Sequence, residues 1–151
     1  MNNVKLRDLY TLDFDSHSKA LKILNQLSNS SPTGNIFSIK ERMNLINEYL
    51  VNNVNHRIFV IYYNNEIVGM VTILIEPKII HDFKKVCHVE DFVIDSEYRG
   101  IGIGKIVLEK IKNLAQAYDC YKIILDCSDS VREFYENCGY THTNNQMSIY
   151  L

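Results

Sequence analysis

The stretch His88-Val-Glu-Asp-Phe-Val-Ile-Asp-Ser-Glu-Tyr-Arg-Gly-Ile-Gly-Ile-Gly-Lys105 decides how the chain is organised. Val89, Phe92, Val93 and Ile94 are β-formers, and Asp95-Ser96 supplies turn chemistry, so the first half reads as a strand. Glu90 and Asp91 interrupt that apolar strand, where carboxylates are costly without a task or a partner. In regular geometry adjacent strand residues face opposite sides; a bulge would rotate one of them and free a backbone N–H. Gly100, Gly102 and Gly104 follow, then Lys105 and a helical pattern. A strand, a glycine-rich loop and a helix start together make an anion site from backbone N–H groups and the helix dipole, with Arg99 or Lys105 adding charge. The spacing is not that of a dinucleotide fingerprint, because the third glycine comes two residues after the second. Nor is it a P-loop, because Ile106 stands where Ser or Thr would hold magnesium.

Working outward, residues 4–10 alternate weakly and predict an edge strand, and the spacing of Ala20, Leu21, Ile23, Leu24 and Leu27 predicts a helix from Ser16, capped by Asp15 or Ser16. Residues 28–35 have loop composition, and a second helix is expected over roughly 38–52. Arg57–Tyr63 and Glu66–Ile75 alternate around Asn64-Asn65 and predict a β-hairpin, with Gly69 marking a bulge or a close approach. Residues 76–85 read as a functional connection into the central strand. After the glycines, the stripe Ile103, Ile106, Val107, Ile111, Leu114, Ala115 and Tyr118 predicts a helix over 104–118. Tyr121–Cys127 reads as a strand with Asp126 at its end, Ser130–Asn137 as a short helix stopped near Gly139, and Gln146–Leu151 as a terminal strand. No repeat or linker divides the chain, so 1–151 is expected to form one mixed α/β domain.

At 151 residues the chain can bury a core without staples, and 46% hydrophobic with 23% charged residues is ordinary for a globular protein. A formal charge of −2 argues against nucleic-acid binding. No apolar run approaches the roughly 18 residues of a membrane span, so no membrane partner is expected. The start of the chain carries Asp8 and Asp13 and no signal-peptide core, so the expected location is cytoplasmic. Cys87, Cys120, Cys127 and Cys138 have neither C-x-x-C nor zinc spacing; no metal is expected, and they read as small buried hydrophobes.

Val93-x-Asp95-Ser96-x-Tyr98-Arg99-Gly100-x-Gly102-x-Gly104-Lys105, the strand Tyr118-x-Cys120-Tyr121-Lys-Ile-Ile-Leu-Asp126-Cys127 and Phe134-Tyr135-Glu-Asn-Cys-Gly-Tyr140 resemble the GCN5-related N-acetyltransferase (GNAT) superfamily. Ile75-Glu76-x-Lys78-Ile79-Ile80-His81 and His88-Val-Glu90-Asp91 narrow the resemblance to its glucosamine-6-phosphate N-acetyltransferases. The resemblance implies acetyl transfer from acetyl-CoA to the 2-amino group of an amino-sugar phosphate, on the route to UDP-N-acetylglucosamine. By similarity Phe92, Val93 and Ile94 hold the acetyl and pantetheine arm. Arg99, Gly100, Ile101, Gly102, Ile103, Gly104 and Lys105 cradle the pyrophosphate, and Tyr135 protonates the leaving thiolate. Glu90, Asp91 and Asp126 would hold the sugar, orient its amine and help remove its proton, while Lys78 and His81 would approach the sugar phosphate and Ser28, Ile79 and Ile80 would complete the substrate site. The resemblance also implies an α+β architecture, a mixed and mostly antiparallel central sheet flanked by helices, and a homodimer with shared C-terminal strands. Three positions depart from the family pattern: Pro77 and Val131 replace a basic residue and an Asn, and Ser148-Ile-Tyr-Leu151 lacks a basic residue. Another amine acceptor and a non-catalytic acyl-CoA-binding module are the alternative readings.

Overall fold

The computed structural model describes residues 3–27 and 38–151. They build a five-stranded sheet in the order β1-β2-β3-β4-β5, from β1 (Val4–Asp8), β2 (His56–Tyr63), β3 (Glu66–Pro77), β4 (Lys85–Ile94) and β5 (Cys120–Ile124). The first four strands are antiparallel neighbours and β4 pairs with β5 in parallel, through the crossover helix α3 (Ile103–Ala117). Helices α1 (Phe14–Leu24) and α2 (Ile39–Val51) precede β2, and α4 (Asp129–Glu136) follows β5. The mixed, mostly antiparallel α+β sheet is the expected architecture.

Local chemistry explains the elements. Asn64 and Asn65 both adopt left-handed φ values, 50° and 67°, as a tight primed turn between β2 and β3 demands. Ser38 and Glu41 form a reciprocal capping box that starts α2. The cap of α1 is Asp13, whose Oδ1 accepts from Ser16 N–H at 2.9 Å. That helix therefore begins before the predicted Ser16 and ends at Leu24, short of Leu27. The α4 helix closes with Tyr140 N–H donating to Tyr135 C=O and Gly139 N–H to Glu136 C=O, a Schellman pattern that uses the left-handed Gly139.

Two cores lie on the two faces of the sheet. On one, Ile73, Ile75, Cys87 and Val89 pack against Ile103, Val107 and Ile111 of α3. On the other, Val60, Ile67, Met70 and Val93 pack against Ala20 and Ile23 of α1. Each such buried aliphatic side chain contributes about 1.5–3 kcal/mol. The predicted strand over Gln146–Leu151 is absent: the segment belongs to no strand and its side chains are exposed. Among the described residues the outer edge of β5 is accordingly left without a partner strand.

Gly69 sits where β2 and β3 shift register between Ile61 and Tyr62. A Cβ there would lie 2.3 Å from the Val93 carbonyl oxygen, so the expected close approach is of backbone to backbone. Gly69→Ala is expected to cost about 1–3 kcal/mol, the usual penalty of overpacking. Urea unfolding measures it; an unchanged midpoint would mean that β3 and β4 separate freely here.

Candidate active site

Pairing between β4 and β5 stops at His88 and Ile124. Beyond that point β4 runs on to Ile94 without β5 beside it, while the chain after β5 turns away toward α4. The wedge between them is a cleft of about 940 Å³, lined by Val89–Ile94, the glycine loop, Asp126–Ser128 and the inner side of α4. Of the expected coenzyme residues, Phe92, Val93, Ile94, Arg99, Gly100, Gly102, Ile103, Gly104, Lys105 and Tyr135 line it. Ile101 does not, and it faces solvent.

Each glycine of the loop has its own reason. Gly100 and Gly102 take φ values of 78° and 86°, which L side chains rarely adopt. Gly102 is the N-cap of α3 and brings no side chain to satisfy the first-turn N–H groups, so those donors open toward the cleft. Gly104 is different: a Cβ there would stand 3.0 Å from the Phe134 ring. It lets α4 lie close on the start of α3. Arg99 is partly committed, donating through Nε to Ile94 C=O at 2.8 Å and through Nη2 to Gln26 at 3.3 Å.

At the other end of the cleft three carboxylates meet. Between the register pairs Thr72↔Glu90 and Met70↔Val93, β4 carries two residues against one on β3, a bulge at Asp91-Phe92. Asp91 adopts φ 48° there and its Oδ2 accepts from Thr72 Oγ1 at 3.0 Å. Burial, with the charges of Asp126 and then Asp91 behind it, pushes the Glu90 carboxyl above the usual range, against a smaller opposing effect of His88. Tyr135, on α4, is pushed up to about 12 by burial, with the Cys127 and Cys138 thiols adding to the effect.

Lys78 turns back along β3, with Nζ 2.5 Å from Glu76 Oε1. Glu76 Oε2 is 2.8 Å from His88 Nε2, and these two partners hold the Glu76 carboxyl below its ordinary range. His88 lies two residues before Glu90 on the same strand face, so Lys78, Glu76, His88 and Glu90 form a polar ladder. The rest of that loop behaves otherwise. Ile79 and Ile80 project into solvent, and His81 packs on Tyr121 with ring centroids 4.6 Å apart. Ser28 lies outside the described residues.

Several lining residues have no sequence signal. Gln26 joins the coenzyme end by accepting from Ser96 N–H at 3.1 Å, a partner seventy positions away. Outside the lining, Glu76 and His88 carry the ladder, although the motifs that contain them assigned neither a role. Cys127 corrects the reading of the cysteines as buried hydrophobes: it is exposed and lines the cleft, as does the half-buried Cys138. Both follow the ends of elements, where the chain turns inward toward Tyr135.

The sequence profile of the Acetyltransferase (GNAT) family matches residues 21–140. The chain is 30% identical over 152 residues to glucosamine 6-phosphate N-acetyltransferase of Trypanosoma brucei brucei, spanning 97% of this chain and 95% of that one. It is 40% identical over 87 residues to glucosamine 6-phosphate N-acetyltransferase 1 of Dictyostelium discoideum, a match that spans 58% of this chain and only 55% of the relative. The crystal structure of glucosamine-6-phosphate N-acetyltransferase from Arabidopsis thaliana superposes with a TM-score of 0.80 at 31% identity, covering 97% of both chains.

The raised Glu90 has a thermodynamic consequence that does not depend on any reaction. The folded chain binds that proton more tightly than the unfolded one, so stability falls as pH rises through the raised value. Glu90→Gln is therefore expected to be more stable than the native chain at neutral pH, with the gap closing as pH falls toward about 4.3, the ordinary glutamate value. Denaturant midpoints measured across pH test this; a constant difference would mean that Glu90 is not perturbed.

Proposed function

The chain is a member of the Acetyltransferase (GNAT) family, and on that premise we propose that it transfers the acetyl group of acetyl-CoA to the 2-amino group of D-glucosamine 6-phosphate. The products are N-acetylglucosamine 6-phosphate and CoA, on the route to UDP-N-acetylglucosamine. One observation carries this reading: a cleft with an open helix N-terminus at one end and Glu90, Asp91 and Asp126 at the other. Four free cysteines fit a reducing cytoplasmic setting.

The donor fits the residues present. The first-turn N–H groups of α3, the left-handed Gly100 and Gly102, and Lys105 suit a pyrophosphate, and the β4 edge from Phe92 to Ile94, free of β5, suits the amides of the pantetheine arm. Acetyl-CoA supplies an activated thioester. Glu90, Asp91 and Asp126 attract the ammonium form of the sugar amine and orient it. The amine attacks only when neutral, and Glu90, with its raised proton affinity, takes the proton directly or through water. The bulge offers backbone donors toward the carbonyl oxygen as charge develops on it.

Tyr135 stands by the departing sulfur. Burial pushes its hydroxyl up to about 12, so it keeps its proton at neutral pH and has it available for the departing thiolate. Its role is to donate a hydrogen bond that stabilises the thiolate as it leaves. Lys78 spends one of its three N–H donors on Glu76, and the others, with His81 and Ser28, serve the sugar phosphate. Ile79 and Ile80 flank that site.

A thiol-release assay tests the reading. Glucosamine 6-phosphate is expected to outperform glucosamine, and Tyr135→Phe to lose more than about tenfold in turnover with acetyl-CoA affinity near normal. Equal turnover of the two sugars would move the acceptor to another amine. Coenzyme binding with no turnover of any amine would make the chain a binding module.

The active form is a homodimer in which residues 146–151 of each copy extend the sheet of the other. The unpaired outer edge of β5 and the exposed Met147, Ile149 and Tyr150, at 95%, 85% and 95%, support this. Deleting 146–151 is expected to give a monomer by sedimentation equilibrium, with turnover lost; a dimer surviving the deletion would refute the exchange.

A further inference from the structure

We infer that Thr72 is a positioning residue for the proposed transfer: its buried hydroxyl donates to Asp91 and holds that carboxylate on the sheet face where Glu90 stands. This rests on the acetyl-transfer reading and assigns a task to a side chain outside the cleft lining.

Thr72 is 4% exposed and sits on β3 between the buried Val71 and Ile73. A buried hydroxyl needs a partner, and the Thr72 hydroxyl finds one at 3.0 Å, on Asp91 Oδ2. Thr72 lies directly opposite Glu90 in the antiparallel register, so their side chains share a face. In an unbroken strand Asp91 would point to the other face, into the core under α3. The bulge prevents this: Asp91 adopts φ 48°, a left-handed conformation that aspartate tolerates better than most residues. The backbone turn alone leaves χ1 and χ2 of Asp91 undetermined. The Thr72 hydroxyl selects the rotamer in which Oδ2 is occupied and Oδ1 is free for the acceptor amine. Among the described residues no other side chain hydrogen-bonds Asp91.

The groups that bear on Glu90 are Asp126 after β5, Asp91 and His88 on β4. Releasing Asp91 lets its carboxylate swing away from Glu90, which weakens one of the two like-charge repulsions there. The acidic limb of the rate profile then moves to lower pH, which loss of packing alone would not cause.

The test uses the full-length chain with acetyl-CoA and glucosamine 6-phosphate. Thr72→Val keeps the shape and removes the donor; Thr72→Ser keeps the donor and removes a methyl. Thr72→Val is expected to lose about tenfold in kcat/KM, with acetyl-CoA Kd unchanged and the acidic limb displaced downward, while Thr72→Ser stays within about twofold of the native enzyme. On an Asp91→Asn background, adding Thr72→Val is expected to change the rate by less than about twofold. The inference is overturned if Thr72→Val matches the native rate and profile, if Thr72→Ser falls as far as Thr72→Val, or if the two substitutions are independent. Should Thr72→Val not fold, Thr72→Ser and the acidic limb of Asp91→Asn decide: an impaired Thr72→Ser, or an unmoved limb in Asp91→Asn, overturns it. Native enzyme that turns over no amine defeats the acetyl-transfer reading itself, an outcome distinct from an active enzyme indifferent to Thr72.

Discussion

Everything in the site depends on β4 and β5 parting after His88 and Ile124. A parallel pair needs a crossover, and α3 provides it, which puts the helix N-terminus beside the C-terminal end of β4. The same parting leaves the β4 edge from Val89 to Ile94 with backbone groups that no neighbouring strand satisfies on that side. Such an edge is normally a liability. Facing a cleft, it becomes a template along which a ligand's amides can be laid, directly below the glycine loop.

The bulge at Asp91-Phe92 depends on that parting too. In a strand paired on both sides, two residues opposing one would break a second ladder; here the β5 side is already open. The distortion then gathers charge. Burial first, and then the charges of Asp126 and Asp91, raise the proton affinity of Glu90. A site that spends stability in this way is characteristic of chemistry on a proton.

Where the deciding interactions are local, the sequence already shows them. The α3 stripe, the Asn64-Asn65 turn, the close approach at Gly69 and the left-handed glycines follow from periodicity or from backbone conformations only certain residues reach. The carboxylate cluster was legible as residue types, but not its geometry, because Thr72 reaches it from β3 and Asp126 from the chain after β5. Gln26 was invisible for the same reason. The Asp13 cap was missed because Asp15 and Ser16 are equally good N-cap residues nearby. The terminal strand failed differently. The alternating apolar pattern at Gln146–Leu151 is a property of a strand with a partner, and among the described residues β5's outer edge stays unpaired.

The sorting of charge along the cleft says more than the net charge. At −2 overall the chain has no strong field to steer either substrate. Locally the signs are opposed: α3's N-terminus, Arg99 and Lys105 make one end of the cleft positive, and three carboxylates make the other negative. A donor whose phosphates are at one extremity and whose thioester is at the other fits this gradient in one direction. An acceptor that carries both an ammonium and a phosphate does not fit the acidic end alone, since its phosphate must be kept from Glu90 and Asp91. In the proposed reading that need falls to Lys78, which Glu76 holds by one contact while its other carboxylate oxygen meets His88. In the proposed reaction the amine meets the carboxylates while the phosphate lies toward Lys78. The donor and both ends of the acceptor are then oriented by charges that one strand, β4, and its two neighbours hold in place.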